Sequence, residues 1–482
     1  MEQKVSIKKN TVFNIIKSLS TVIFPLITFP YVSRVLGADN VGKVNFSSSI
    51  VSYVSLIASL GITTYAIREC SKVKENENDL NKLASQIYSI NIMSTIIAYL
   101  IIGNVILFAK PLYGYRSLIL IQVVTVLFTT LGTDWINSAM EDFKYITIRT
   151  FIFQVLSIVL MVLFVREPSH FYRYAMICVL SASGGNIVNI FYRRKYCRIV
   201  FTFSMDVKQH LKPIILVFSL VLSQTIYCNS DMTILGFIKG DYQVGLYSVA
   251  VRIYTIVNTM VASVALVVMP QMSKLFQNRN YDEINKLVRY ALDCIVVIGF
   301  PIIAGIACMA PEVVEIIAGA EYARAVPALR ILMLSLLFSY LGGIIINVIM
   351  IPSGREKLCL KTSVISAIIN IVLNFILIPK FGLYAAAATT AIAEGVGLCI
   401  ISRHIETDIK VGRFKEIFLG PISGCICVVV VTVIVKWIGL TLWPRTLIVT
   451  AFSVVVYGLV MLVTKNRLVM DITGSIVKRL KK

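Results

Sequence analysis

About fourteen stretches of this chain are each long and apolar enough to cross a bilayer, which constrains the fold more than any motif does. A spanning helix needs about 20 mostly apolar residues. The stretches begin near 12–33 and 44–65, continue through 213–235 and 246–269, and finish at 415–437 and 445–464. The hydrophobic share is 57% and the mean hydropathy +0.82, too high for a soluble globular domain of 482 residues. Asp134, Arg330 and Glu394 interrupt three of the stretches. The N-terminus is basic, but the first stretch is long and lacks a small-residue cleavage site, so no removable signal peptide is expected.

A net charge of +21 invites a nucleic-acid reading, and the placement of the charge decides against it. With the N-terminus inside, the segments on that side hold about 32 of the 46 Lys and Arg, and the opposite loops about 11, as the positive-inside rule expects. Arg193, Arg194, Lys195, Arg198, Lys208 and Lys212 cluster midway, and Lys478, Arg479, Lys481 and Lys482 close the chain. Basic charge on every inner loop reports topology, with anionic lipid contact as a by-product. No recognition helix or stacking platform accompanies it, which excludes nucleic acid as a partner. Both termini are expected on the cytoplasmic side. The ten cysteines are scattered and the three histidines fall in loops or at the ends of stretches, so neither a metal site nor a cofactor is expected.

One passage of the chain occurs twice. Val35-Leu36-Gly37, Val41-Gly42, Ser71-Lys72 and Leu80-Asn81-Lys82-Leu83 return as Ile234-Leu235-Gly236, Val244-Gly245, Ser273-Lys274 and Ile284-Asn285-Lys286-Leu287. Gly42 and Gly245 stand 203 residues apart, far beyond a solenoid period. An even number of stretches separates the copies, so the repeat is parallel rather than inverted. The expected fold is an all-α membrane protein of about 14 transmembrane helices, in two parallel-repeat six-helix lobes plus two C-terminal helices. The corresponding division is an N-terminal lobe (1–192), a basic cytoplasmic linker (193–212), a C-terminal lobe (213–411) and accessory helices thirteen and fourteen with a basic tail (412–482). Phe201, Phe203 and Val207 give the linker two readings, a segment on the inner membrane surface or a solvated connector.

Polar residues recur at helical spacing inside the apolar stretches. In the second, Asn45, Ser48, Ser52, Ser55 and Ser59 share one face; in the first, Asn14, Ser18, Thr21, Pro25 and Thr28 do so. Gln224, Cys228 and Asp231 form a stripe in the seventh, and Ser248, Arg252, Thr255 and Thr259 in the eighth. Small hydroxyl residues also serve plain helix packing in membranes. Two stripes, however, carry an ionisable group, which costs about 2.5–3.5 kcal/mol at a helix centre on insertion scales. A water-filled cavity explains such stripes better than hydrocarbon does.

Among the charges, Arg252 has a planar donor fork suited to phosphate oxygens, and an ion pair with Asp231 is its alternative role. Arg34 and Arg68 end the first two stretches on opposite faces, where they act as snorkelling anchors or ligand contacts. Lys17 faces either the cavity or the surface. Asp231 and Glu394 are the acidic groups deepest in the spans; each can carry a coupling proton or Na⁺, or neutralise an arginine. Asn370 and Asn374, four apart, are expected to hydrogen-bond between helices.

The run Pro25-Leu26-Ile27-Thr28-Phe29-Pro30-Tyr31-Val32-Ser33-Arg34-Val35-Leu36-Gly37 carries a family resemblance, together with Gly42, Gly61 and Arg68-Glu69. So do Asp231, Leu235-Gly236, Val244-Gly245-Leu246-Tyr247-Ser248, Pro270, Asn370, Asn374, Pro379, Gly382 and Glu394. With these residues the chain resembles the bacterial polysaccharide-unit flippases. They form the oligosaccharide-lipid branch of the superfamily that also holds multidrug extrusion carriers and the peptidoglycan-precursor flippase. The resemblance implies 14 helices, in two six-helix lobes around a central cavity with helices thirteen and fourteen appended, and a polyprenyl-pyrophosphate-linked oligosaccharide as cargo. It also implies residence in the bacterial cytoplasmic membrane and service to capsule, O-antigen or exopolysaccharide assembly.

On this reading Arg34, Arg68 and Arg252 contact pyrophosphate or sugars, Asn45, Ser48 and Ser52 line the cavity, and Asp231 and Glu394 couple H⁺ or Na⁺. Membrane lipids and a polysaccharide polymerase machinery are the other expected partners. A cation-coupled multidrug antiporter keeps the fold and changes the cargo; a peptidoglycan-precursor or teichoic-acid flippase changes only the head group. A membrane-embedded sugar-polymer enzyme would need a phosphate loop, paired carboxylates or a metal cluster, and the chain carries no such motif.

Overall fold

In the computed structural model the chain divides into two compact units, Met1–Gly245 and Leu246–Lys482. The structure describes residues 2–204, 207–405, 409, 414–471 and 473. The basic tail at 478–482 lies outside them, as do the side chains of Asn14, Ser18, Thr21 and Val207. The described residues form helices joined by short turns, with no strand among them. This suits lipid, where every backbone N–H and C=O must be satisfied within its own segment.

The first unit begins with α1 (Glu2–Ser59), α2 (Ile62–Lys72) and α3 (Glu77–Phe108), and continues through α4 (Arg116–Gly132) and α5 (Trp135–Ala139). Then come α6 (Phe143–Phe164), α7 (Phe171–Tyr192) and α8 (Val207–Lys239). The first two apolar stretches are one kinked helix rather than two. Pro25 and Pro30 lie inside α1, while its non-helical residue is Gly37 (φ 73°, ψ 170°), a conformation that glycine alone adopts readily. Twelve helices among the described residues are long and apolar enough to span a membrane, against about fourteen expected, and the first of them, Ile23–Lys72, runs across this kink.

The two copies of the repeated Val-Gly meet. A side chain on Gly42 would overlap the carbonyl oxygen of Asp241, and one on Gly245 that of Ala38. Gly236 leaves room for the ring of Phe46 in the same way. Along this contact Thr233 Oγ1 donates to Ser49 Oγ at 2.9 Å, and the Tyr53 hydroxyl lies 3.2 Å from Thr233 Oγ1. Close approach of small residues, closed by hydroxyl pairs, is how membrane helices associate where no hydrophobic effect drives them together.

After α7 the chain runs extended along α3. The backbone N–H groups of Arg198, Val200 and Thr202 donate to Asn81 Oδ1, Ser85 Oγ and Ser89 Oγ at 2.7, 3.1 and 2.9 Å. Two residues of extended chain rise about 6.6 Å and four of helix about 6 Å, so the two ladders stay in step. Phe201 and Phe203 alternate outward, the latter 87% exposed.

From Asp241 to Gln277 runs α9, which covers the apolar stretch 246–269 and carries the chain into the second unit. There follow α10 (Tyr281–Cys308), α11 (Ala310–Ala318), α12 (Val326–Ile344) and α13 (Glu356–Phe381), then α14 (Leu383–Ser402), α15 (Phe414–Trp437) and α16 (Leu442–Val463). Asn374 Nδ2 donates to Asn370 Oδ1 at 3.1 Å and its own Oδ1 accepts from Thr389 Oγ1 at 2.5 Å, joining α13 to α14 as the asparagine spacing predicts. The last two helices dock through a buried carboxylate. Glu312 accepts from Lys436 Nζ at 3.0 Å and Arg445 Nη1 at 3.3 Å. Burial pushes this carboxyl up, but a backbone N–H and the two cations outweigh it and hold it below the usual glutamate range.

Candidate functional site

The first unit contains a polar cavity of about 360 Å³ among α1 to α7. Breaks in the helices build it. Leu60 (φ 45°) and Gly61 (φ 70°) end α1, leaving the Ala58 carbonyl to accept from Asn91 Nδ2 at 2.8 Å and Ser94 Oγ at 2.5 Å. Thr133 (φ 46°) ends α4, and the carbonyls it strands are taken by α7 and the residue after it: Asn189 Nδ2 donates to Gly132 O and Arg193 Nη1 to Leu131 O, at 2.7 and 2.8 Å. This turn swings Asp134 and Trp135 into the cavity wall.

Opposite, Arg149 enters from α6, 6% exposed, and its Nη2 donates to Asp134 Oδ1 at 2.5 Å. Its guanidinium also lies 5.2 Å from the centre of the Tyr145 ring. Gly185 of α7 makes room: a Cβ there would sit 2.8 Å from Arg149 Nε. Lys17, Ser55, Ser59, Thr129, Thr130 and Asn186 are among the other polar residues of the wall. Thr95 and Thr130 hydroxyls, 2.8 Å apart, tie α3 to α4 behind it.

The residues singled out from the sequence fall in several places. Ser48 is exposed and Asn45, Ser52, Ser55 and Ser59 half-buried, whereas Phe46, Ser47, Ile50, Val51 and Val54 on the other side of α1 are buried. The stripe is therefore the least covered face of α1, and its Ser55–Ser59 end lines the cavity, as does Lys17. Arg34 is exposed and donates from Nη1 to Pro30 O at 2.6 Å. Arg68, on α2, is exposed, paired to Glu69 at 2.8 Å and set over the Tyr65 ring. The helical run 38–59, about 33 Å at 1.5 Å per residue, separates these two arginines, so one compact group cannot touch both. Asp231 is 6% exposed on α8; Arg252 and Glu394 are half-buried on α9 and α14 of the second unit.

Sequence reading passed over Arg149, Trp135, Asn91 and Asn186. Arg149 had a signal, because it sits four residues into an apolar stretch, where a charge calls for a function or a partner. Trp135 and Asn91 had none, since their place in the wall follows from turns that spacing does not show.

Helices that hold charged and hydroxyl side chains inside apolar spans define a multi-pass membrane carrier. The family model described as polysaccharide biosynthesis protein matches residues 7–276, and the chain belongs to that family. A second family model, MatE, matches residues 213–376. The "Putative O-antigen transporter" of Shigella dysenteriae is 22% identical over 389 residues, 80% of this chain and 97% of its own length. The capsular polysaccharide biosynthesis protein CapF of Staphylococcus aureus is 24% identical over 400 residues, 80% of this chain and 95% of its own. Among solved structures, the lipid II flippase MurJ in an inward closed conformation superposes with a TM-score of 0.74 at 18% identity, covering 96% of this chain and 100% of that one. This last likeness establishes the fold.

Proposed function

We infer that the chain is a non-hydrolytic flippase that moves polyprenyl-pyrophosphate-linked oligosaccharide repeat units across the cytoplasmic membrane by alternating access, for capsule, O-antigen or exopolysaccharide assembly. The family match over residues 7–276 carries this reading. The names of the Shigella and Staphylococcus relatives, each aligned over 80% of the chain, support it. On this reading the four-part division at 192, 212 and 411 stands, both termini are cytoplasmic, and the polymerase of the same polysaccharide is a partner.

Arg34, Arg68 and Arg252 are assigned to the pyrophosphate and sugars, with Asn45, Ser48 and Ser52 on the wetted face of α1. Exposure of Arg34, Arg68 and Ser48 supports this. The long helical run between Arg34 and Arg68 suits contacts made in succession as the head group crosses. Asp231 and Glu394 are assigned to a coupling H⁺ or Na⁺; the burial of Asp231 makes its charge sensitive to an ion nearby.

Purified protein in liposomes loaded with the fluorescent lipid-linked oligosaccharide tests the reading. Wild type is expected to translocate it, Arg252→Ala to abolish translocation at normal insertion, and Asp231→Asn to lose the response to a pH or Na⁺ gradient. Full transport by stably inserted Arg252→Ala removes that assignment. The MatE match to 213–376 supports a second reading, a cation-coupled drug antiporter. Export of a cationic dye without movement of the lipid substrate in the same liposomes selects it.

A further inference from the structure

The surface of α3 marks where the helix enters the bilayer. Lys82 is its last charged residue and is exposed, whereas no residue from 83 to 92 is. Met93 then opens a run of exposed apolar side chains with Ile96, Ile97 and Leu100. The boundary between water and acyl chains therefore falls within the helix between Lys82 and Met93, a rise of about 16 Å. The extended segment after α7 lies over this interval, pinned by its backbone N–H groups at Asn81, Ser85 and Ser89. It turns back at the deep end: Thr202 reaches Ser89, but Ser204 O accepts from Gln86 Nε2 at 3.2 Å. Gln86 Oε1 also meets Nε2 of the buried His210 on α8 at 3.2 Å, which fixes the returning chain. Phe203 thus stands at the tip.

The side chains of the segment are sorted along the same axis. Cys197 and Ile199 turn inward onto the core shared by α2, α3 and α5. Arg198, whose N–H bonds Asn81, is exposed at the charged end, and Lys82 shares the face of α3 that carries Ser85, Gln86 and Ser89. Asp79 and Glu77 stand three and five residues before Lys82, farther from the apolar belt. At the other end Val200, Phe201 and Phe203 are 62%, 43% and 87% exposed, and the two rings meet edge to face at 4.9 Å. A fixed backbone that holds three neighbouring apolar side chains outward marks a contact surface.

We propose that this turned-back segment is a seat for an anionic phospholipid of the leaflet at the Glu77 end of α3. Arg198 and Lys82 face its head group, while Phe201 and Phe203 pack on the upper part of its acyl chains. The order of charge and apolar surface along the segment matches the order of phosphate and hydrocarbon in the lipid. Arginine suits the boundary because its stem lies along apolar surface while the guanidinium reaches the phosphate. The seat lies within the first unit and its ligand is a bulk membrane lipid, so it does not depend on the flippase reading.

An indole at the tip supplies the readout. Full-length protein carrying Phe203→Trp, with Trp437→Phe and Trp443→Phe, is placed in nanodiscs; Trp135, 4% exposed, remains as a background measured with Phe203 intact. Lipids brominated on their acyl chains quench an indole that they touch. Brominated phosphatidylglycerol, diluted into plain phosphatidylcholine, is expected to quench the new indole more than brominated phosphatidylcholine at the same mole fraction. The local preference is expected to be about fivefold, the effect of one basic side chain near an anionic surface. Arg198→Gln is expected to bring that preference close to one, while quenching in fully brominated phosphatidylcholine persists. Salt at about 1 M, where the Debye length is about 3 Å, is expected to do the same without the substitution. The charge arm therefore stands even if Arg198→Gln fails to insert. An indole that iodide reaches from water and neither brominated lipid quenches overturns the proposal, as a solvated connector would behave. Equal quenching by the two lipids at low salt overturns it as well, and so does a preference that survives both Arg198→Gln and high salt.

Discussion

At Gly42 and Gly245 the helices come so close that the missing side chains are part of the contact. Each glycine faces a backbone carbonyl, of Asp241 and of Ala38, and a backbone cannot rotate aside as a long side chain can. Gly42→Ala and Gly245→Ala are therefore expected to destabilise the solubilised protein by about 1–3 kcal/mol, the range of overpacking substitutions. Gly103, in the last third of α3 with open space around it, provides the contrast. Gly103→Ala is expected to be neutral or to stabilise by up to about 1 kcal/mol, because alanine favours the helix. Thermal unfolding of the three variants checks this, and equal losses in all would refute the close-contact account. The duplication of Val-Gly was legible in the sequence. That the two copies touch was not, because a repeat records ancestry while contact depends on how the helices cross.

The extended segment after α7 shows at the level of elements what periodicity left open. Its chemistry suggested a membrane-surface segment or a loose connector, and the structure gives it a fixed course along α3, with the aromatic side chains turned outward. The clue lay in the partner helix, where Asn81, Ser85 and Ser89 recur every four residues and offer acceptors at the step of an extended chain. Ser85→Ala with Ser89→Ala is expected to speed amide exchange at Val200 and Thr202 by roughly tenfold, about 1.4 kcal/mol of local opening, while exchange within α3 stays slow. Hydrogen–deuterium exchange by mass spectrometry measures it; unchanged protection would mean that the segment is held by its phenylalanines instead. For α1 the stretches themselves were legible, but their fusion across Gly37 was not, since a glycine reads equally as a turn or as a kink.

For the molecule as a whole, composition and hydropathy gave the helical membrane class, and the quoted motifs gave the family that the comparison with known proteins establishes. The wall around Arg149 stayed hidden because it draws on helices scattered from residue 17 to residue 186. Asp134 was legible as a charge in an apolar stretch, and only the fold supplied its partner. Another built-in feature is chemical. Cys228 is exposed on the same stripe of α8 as Gln224 and Asp231, whereas Cys70 is fully buried. A thiol reacts with polar alkylating reagents through its thiolate, and thiolates form in water rather than among acyl chains. In a variant keeping Cys228 alone of the ten cysteines, a charged methanethiosulfonate is expected to modify it in sealed vesicles from one side, and resistance from both sides would place the stripe against lipid. A native side chain on the stripe thus serves as a gauge of hydration, readable by mass without attaching a dye or a spin label.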